Sequence, residues 1–211
     1  FLSNDSTFIT NLGGGLVGGG CDFNYPDGLD GEPITIALGS YTVPLGKTLY
    51  VTSVFSYYPF ISITTDNGFT SQIIDRANRD NSNFPKSLHN PIILSEGQII
   101  SGSYNMGAIN GFLVNSGVTS VTWTDSTYQV PAGKSLYITN YFGNLSWSSL
   151  YIDSIKMAIV ESGYFLGHPI VVNPNQVVTA DGGGCFNGYL VDEDYFAGCG
   201  GGGSSNSTSN A

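Results

Sequence analysis

The sequence predicts an all-β protein built from two tandem copies of one domain. Three observations point there. The stretch Tyr41–Thr52 reads YTVPLGKTLYVT and returns at Tyr128–Thr139 as YQVPAGKSLYIT, with eight of twelve positions identical. Internal self-similarity of this kind sets the architecture. Aromatic residues make up 13% of the chain and charged residues only 10%, against about 25% charged in average proteins. Polarity comes instead from Ser, Thr and Asn, a composition that suits pleated strands and not a disordered chain. Finally, short apolar or alternating runs recur between Gly, Pro and Asn turns, and no stretch keeps helical periodicity for three turns.

The repeat extends on both sides of the shared phrase. Ile34-Thr35-Ile36 stands where Val121-Thr122-Trp123 stands in the second copy. Pro91-Ile92-Ile93-Leu94 with Gln98-Ile99-Ile100 is answered by Pro169-Ile170-Val171-Val172 with Gln176-Val177-Val178. Asn110-Gly111-Phe112-Leu113-Val114 is answered by Asn187-Gly188-Tyr189-Leu190-Val191. These matches place the copies at 31–116 and 117–194, after an extended N-terminal segment, 1–30, and before a Gly/Ser-rich tail, 195–211. A unit of roughly 80 residues buries only about 60% of its unfolded surface. The two units are therefore expected to pack together, or to be completed by the flanking segments.

Within the first unit, strands are expected at Ile34–Ile36, Tyr41–Val43, Leu49–Tyr58, Phe60–Thr64, Thr70–Ile74, Ile92–Leu94, Gln98–Ile100 and Phe112–Val114. Pro44-Leu45-Gly46-Lys47 supplies a turn, because Pro presets φ and Gly accepts unusual backbone angles. Asp66-Asn67-Gly68 is a hairpin signal, and Ser95-Glu96-Gly97 a further turn. Arg76 to His89 is polar and reads as a long loop, a candidate contact surface private to the first unit. Seven or eight strands per unit fit a β-sandwich of jelly-roll type, with an immunoglobulin-like strand order as the alternative.

Composition excludes some partners. The net charge is −10, with six Lys plus Arg. Nucleic-acid affinity rests on cations at phosphates, so no nucleic-acid partner is expected. No apolar run reaches the 18 or so residues of a spanning helix, so no membrane insertion is expected. The first residue is Phe1, not Met, which is consistent with a removed leader and export.

Candidate sites are few. Asp27, Asp30 and Glu32 place carboxylates at close spacing in a Gly-rich stretch, the kind of hard oxygen set that holds Ca²⁺. The same residues are also ordinary turn formers, and no other cofactor is expected. Gly13, Gly15 and Gly18 match G-x-G-x-x-G, but turn residues follow where a dinucleotide site requires a helix. Cys185 and Cys199 bracket a stretch that can fold as a hairpin about Asp192-Glu193-Asp194, making them a candidate disulfide. Pairing of Cys21 with either is the rival, one thiol is left over in both cases, and three buried thiols are the plain reading. Asn4, Asn144 and Asn206 lie in N-x-[ST] glycosylation patterns. His89 and His168 precede the two Pro-Ile strands and read as part of the repeat, not as a metal pair. No nucleophile-elbow pattern appears, and the acidic residues give no paired-carboxylate geometry. No catalysis is expected.

The pattern V-P-x-G-K-[ST]-L-Y-[IV]-T, followed by P-[IV]-[IV] with Q-[IV]-[IV], and then N-G-[FY]-L-V, resembles β-sandwich modules of phage tail and receptor-binding proteins and of bacterial surface appendages. The resemblance covers both units and neither flank. It implies an extracellular or virion-surface location without catalytic residues. On that basis the expected function is a structural subunit of an extracellular filament, with other copies of the same chain as partners. Its head, through Phe1, Leu2, Phe8, Ile9 and Leu12, is expected to add a strand to a neighbour's open sheet edge. The alternative is a receptor-binding or adhesin module that recognises surface glycan, with Trp123, Trp147, Tyr141 and Tyr151 as candidate stacking residues.

Overall fold

The computed structural model describes residues 22–56, 61–74, 86–102, 107–124, 126–143, 147–160 and 166–197. The regular elements among them are all strands. The first repeat contributes β1 (Glu32–Leu38), β2 (Ser40–Thr42), β3 (Lys47–Ser56), β4 (Ile61–Thr64), β5 (Thr70–Ile74), β6 (Lys86–Ser95), β7 (Ile99–Gly102) and β8 (Gly107–Asn115). The second contributes β9 (Thr119–Thr124), β10 (Thr127–Gln129), β11 (Lys134–Phe142), β12 (Ser148–Ile152), β13 (Ile155–Val160), β14 (Ile170–Val172), β15 (Val177–Ala180) and β16 (Cys185–Asp192).

These strands form four antiparallel sheets of four, ordered β1-β8-β3-β6, β2-β7-β4-β5, β14-β11-β16-β9 and β10-β15-β12-β13. No sheet mixes strands of the two repeats. Numbered within its own repeat, each unit has one sheet of first, eighth, third and sixth strands. Its other sheet holds the second, seventh, fourth and fifth.

The shared phrase explains why the two units fold alike. After the buried Val43 and Val130, the Lys47 N–H donates to the Pro44 carbonyl and the Lys134 N–H to the Pro131 carbonyl, both at 3.2 Å. Gly46 and Gly133 hold φ of 71° and 73°, values that favour glycine. Leu49 and Val51, like Leu136 and Ile138, then point into the cores. Each such fully buried side chain contributes about 1.5–3 kcal/mol. The pairing of β3 shifts between Val51 and Ser53, and that of β11 between Ile138 and Asn140. The extra residue of each bulge is Thr52 or Thr139, whose hydroxyl donates to the carbonyl of Asn110 or Asn187 at 3.2 Å. Opposite each bulge sits Gly111 or Gly188, where a Cβ would run into the carbonyl of Tyr50 or Tyr137. The repeated Asn-Gly is thus the bulge's partner, with glycine required by close backbone approach.

Side chains from both sheets of the first repeat meet in one core, which includes Leu49, Ile63, Ile92, Ile100 and Ile109. The second repeat builds its own core around Leu136, Leu150, Val172, Val178 and Phe186. The cores are not independent, since Phe142 and Cys185 of the second repeat pack into the first.

Two local expectations change. The polar loop expected to run to His89 ends earlier, because β6 begins at Lys86. Pairing with β3 resumes past a break that leaves Thr52 and residues 88–91 unpaired with each other, with Ser53 opposite Ser87 and Val54 opposite Lys86. The hairpin about Asp192–Asp194 turns as expected, but residues 193–197 form consecutive turns and not a returning strand.

Candidate assembly surfaces

A network of polar side chains joins the two units. Strand β6 is an edge of its sheet, and it lies across β11, β16 and β9 of the second repeat. An edge strand carries N–H and C=O groups that need partners. Here they are met by side chains. Asn187 accepts the Ile93 N–H through Oδ1 at 2.9 Å and returns Nδ2 to the Ile93 carbonyl at 2.8 Å. Its amide thus stands in for a neighbouring strand's peptide. The same Nδ2 reaches Thr122 Oγ1 at 2.8 Å.

Further bonds flank this pair. Asn140 Nδ2 donates to the Pro91 carbonyl at 2.8 Å. Asn90 Nδ2 donates to the carbonyls of Thr139 and Leu166 at 2.8 and 2.6 Å. Ser95 and Ser120 exchange N–H to hydroxyl bonds at 2.9 and 2.8 Å. The β4–β5 turn then caps the edge of β9. Asp66 N–H donates to the Thr122 carbonyl, Thr122 N–H to Asp66 Oδ2, and Asn67 Nδ2 to the Thr124 carbonyl, at 2.7–2.8 Å. Burial pushes the Asp66 carboxyl above its usual range, against the lowering effect of the Thr122 N–H and of the Gln98 amide. Asn90, Asn187 and Asn140 are buried, so each bond left unmade there carries the cost of a buried orphan group.

A second construction is aromatic. Tyr50 stacks on Phe112 at 5.3 Å, and their repeat counterparts Tyr137 and Tyr189 stack at the same distance. Residues 22–28 and 193–197 close over these pairs. Tyr25 packs on Tyr50 and Phe112, and Phe23 and Phe196 pack on Tyr137. The Tyr189 hydroxyl donates to the Phe23 carbonyl at 2.7 Å and that of Tyr195 to the Pro26 carbonyl at 3.0 Å. The flanks thus complete the fold, as the small size of each unit requires.

This closure places the calcium candidates apart. Asp27 turns inward and accepts the Tyr50 hydroxyl on Oδ2 at 2.9 Å. Burial raises its carboxyl above the ordinary range and raises the Tyr50 hydroxyl as well. Asp30 and Glu32 stay exposed, and among the described residues no three His, Cys, Asp or Glu side chains converge as a metal site. The turn reading of this stretch is the one the geometry fits.

The other predicted residues scatter. Cys185 is buried beside Phe142 in the first core, its Sγ 3.7 Å from the Phe186 carbonyl. Cys21, Cys199, the glycosylation candidates Asn4, Asn144 and Asn206, and the assembly residues Phe1, Leu2, Phe8, Ile9 and Leu12 lie outside the described residues. Among the stacking candidates, Tyr141 is fully buried. Trp123 is half-buried, bonded to the Ser126 hydroxyl and packed edge-on against Tyr128. Tyr151 is half-buried beneath the Lys156 ammonium. Trp147, at 63% exposure, stands open to solvent. The sequence reading missed Asn90, Asn140, Ser95 and Ser120. It used Asn187 only as a landmark of the repeat.

A third surface is apolar. Strand β13 is an edge of its sheet, and Ile155, Met157 and Ile159 are exposed on it, with Met157 at the break in its register against β12.

Comparison with known proteins gives no family to argue from. No protein-family model matches the chain, and no curated protein matches it. The functional reading therefore rests on the chain's own geometry.

Proposed function

We propose that this chain is a structural subunit of an extracellular filament or appendage, built as two tandem jelly-roll β-sandwiches and assembled from copies of itself. The strand order supports the jelly-roll reading over the immunoglobulin-like one. Pairing of first, eighth, third and sixth strands against second, seventh, fourth and fifth is the double Greek-key arrangement. No catalytic role belongs to this reading.

The observation that carries the proposal is the exposure of three large apolar side chains, Ile155, Met157 and Ile159, along an edge strand. Proteins that act alone blunt such edges with charge, proline or a covering segment, since an open apolar edge invites another chain. In this reading the segment holding Phe1, Leu2, Phe8, Ile9 and Leu12 is donated as a strand to a neighbour's edge. Negative-stain imaging of the wild-type protein over a concentration series tests the function. Ordered polymers that weaken on deletion of residues 1–12 are expected. A protein that stays dispersed and binds arrayed glycans would instead favour the receptor-binding reading, which the exposed Trp147 supports.

A further inference from the structure

The joint inside the molecule has two halves, an edge strand and a receiving face. Each half has a repeat counterpart that no described residue covers. The receiving face of β9 and β16 is buried, with Ser120 at 4%, Thr122 at 0%, Thr124 at 6% and Asn187 at 0% exposure. The matching positions on β1 and β8 are Pro33, Thr35, Ala37 and Asn110, and all four are exposed. On the edge strands, Ile93 of β6 is fully buried, while its counterpart Val171 of β14 is 51% exposed.

The geometry of the two sets agrees. Asn187 lies opposite Thr122 as Asn110 lies opposite Thr35. The Asn110 amide reaches the Thr35 hydroxyl at 3.0 Å, as that of Asn187 reaches Thr122 at 2.8 Å. Where Asn187 also binds the Ile93 carbonyl, Asn110 turns to the Ile34 carbonyl at 3.3 Å. Val171 stands opposite Tyr137 as Ile93 stands opposite Tyr50. In β6 that register sends the Ile93 N–H and C=O away from β3 to Asn187, and it aims those of Val171 away from β11, off the sheet's edge.

We propose that β14 of one molecule docks on the β1–β8 face of a second copy, repeating between molecules the joint that unites the two units within one. The proposal deepens the structural-subunit reading and rests on it. The contact is heterologous, so its repetition gives a ring or an open filament according to the rotation it imposes. It is also weaker than the internal joint. Pro33 lacks the N–H that Ser120 gives to Ser95, and the Asp153-Ser154 turn is shorter than the Thr65–Phe69 turn that caps β9. Assembly through it therefore depends on concentration.

Two surface variants test this, because each blocks one half of the contact. Val171→Pro removes the outward N–H at an edge position where proline is tolerated. Asn110→Lys places a charge on the receiving face. In sedimentation velocity, wild type is expected to form species that grow with concentration, while each variant alone loses them. An equimolar mixture of the two variants is expected to regain one such contact per pair of molecules, since one copy keeps only its face and the other only its edge. Should Val171→Pro lower the melting temperature markedly, Val171→Lys blocks the same edge through a solvent-facing side chain. Wild-type assembly unchanged in both variants overturns this contact and leaves the structural-subunit reading standing. Wild type that stays monomeric at every concentration overturns both.

Discussion

Asn187 and Asn110 occupy one position of the repeat and hold the same threonine partner, yet one is interior and the other surface. Asn187 bonds Ile93 of the neighbouring unit in a buried joint, whereas the Asn110 amide bonds its own strand pair and is exposed to solvent. The Asn–Thr pairing is thus a property of the two strands that carry it. Burial is a property of what arrives on top. The same division runs through the turns. Asp66 and Asp153 each accept the amide of a matching glutamine, Gln98 and Gln176. Asp66 then crosses to Thr122 of the other unit, while Asp153 bonds back to Val177 of its own.

The asparagine pair gives the largest expected contrast. Asn187→Ala leaves the Ile93 N–H and C=O without partners inside the joint and should destabilise the protein by about 4 kcal/mol, from orphan groups at 1–3 kcal/mol each. Asn110→Ala should stay within about 0.5 kcal/mol, as for an ordinary surface change. Urea denaturation measures both, and equal losses would mean that the joint is not the source of the difference.

The glycine pair should behave in the opposite way, symmetrically. Gly111→Ala and Gly188→Ala each force a Cβ onto a backbone carbonyl, and both should cost about 3 kcal/mol, the upper range for overpacking. If only one of them destabilised the protein in thermal melts, the shared bulge would not be a shared requirement.

A smaller contrast lies in pH. The Asp66 carboxyl is raised by burial, so the folded state holds its proton more tightly than the unfolded chain. Its contribution is present at low pH and is lost as pH rises through a window just above the ordinary 3.8. Asp153 is lowered, chiefly by the Val177 N–H, so its contribution is present above 3.8 and is lost as pH falls through its lower folded value. Melting temperatures from pH 3 to 7 should therefore diverge. Relative to wild type, Asp66→Asn gains toward neutrality and Asp153→Asn gains toward acid. Parallel curves for the two variants would refute the assignment.

The smallest effect belongs to the lysines of the shared phrase. Lys134 pairs with Asp192 at 2.7 Å, with both side chains well exposed, while Lys47 bonds the neutral Asn115 at the matching place. Either change to alanine should cost less than about 1 kcal/mol. Only the Lys134→Ala effect should fade with added salt, which a melt in 0.5–1 M NaCl, about 3 Å of screening length at the upper end, would reveal.

Much of this was legible in the sequence because it is local. The Pro-x-Gly-Lys turns, the Asp66-Asn67-Gly68 hairpin and the alternating strands follow from backbone preferences and from side chains a few residues apart. The start of β6 at Lys86 was not legible. Its first residues are polar, and they pair with β3 past a break in register that skips residues 88–91. The joint was not legible either, since Asn90, Asn140 and Ser120 look like ordinary polar strand residues until a second unit lies against them. The inward turn of Asp27 was hidden for the same reason, since its partner, the Tyr50 hydroxyl, stands 23 residues away.

By itself the sequence determined that two like units form, and it determined most of their strands and turns. Each of those rests on a steric or conformational limit carried by a residue and its near neighbours. Tertiary structure decided which of two like faces became the interior. The free energy that separates Asn187 from Asn110 resides in contacts between distant strands, and in the sequence both stand before the same glycine.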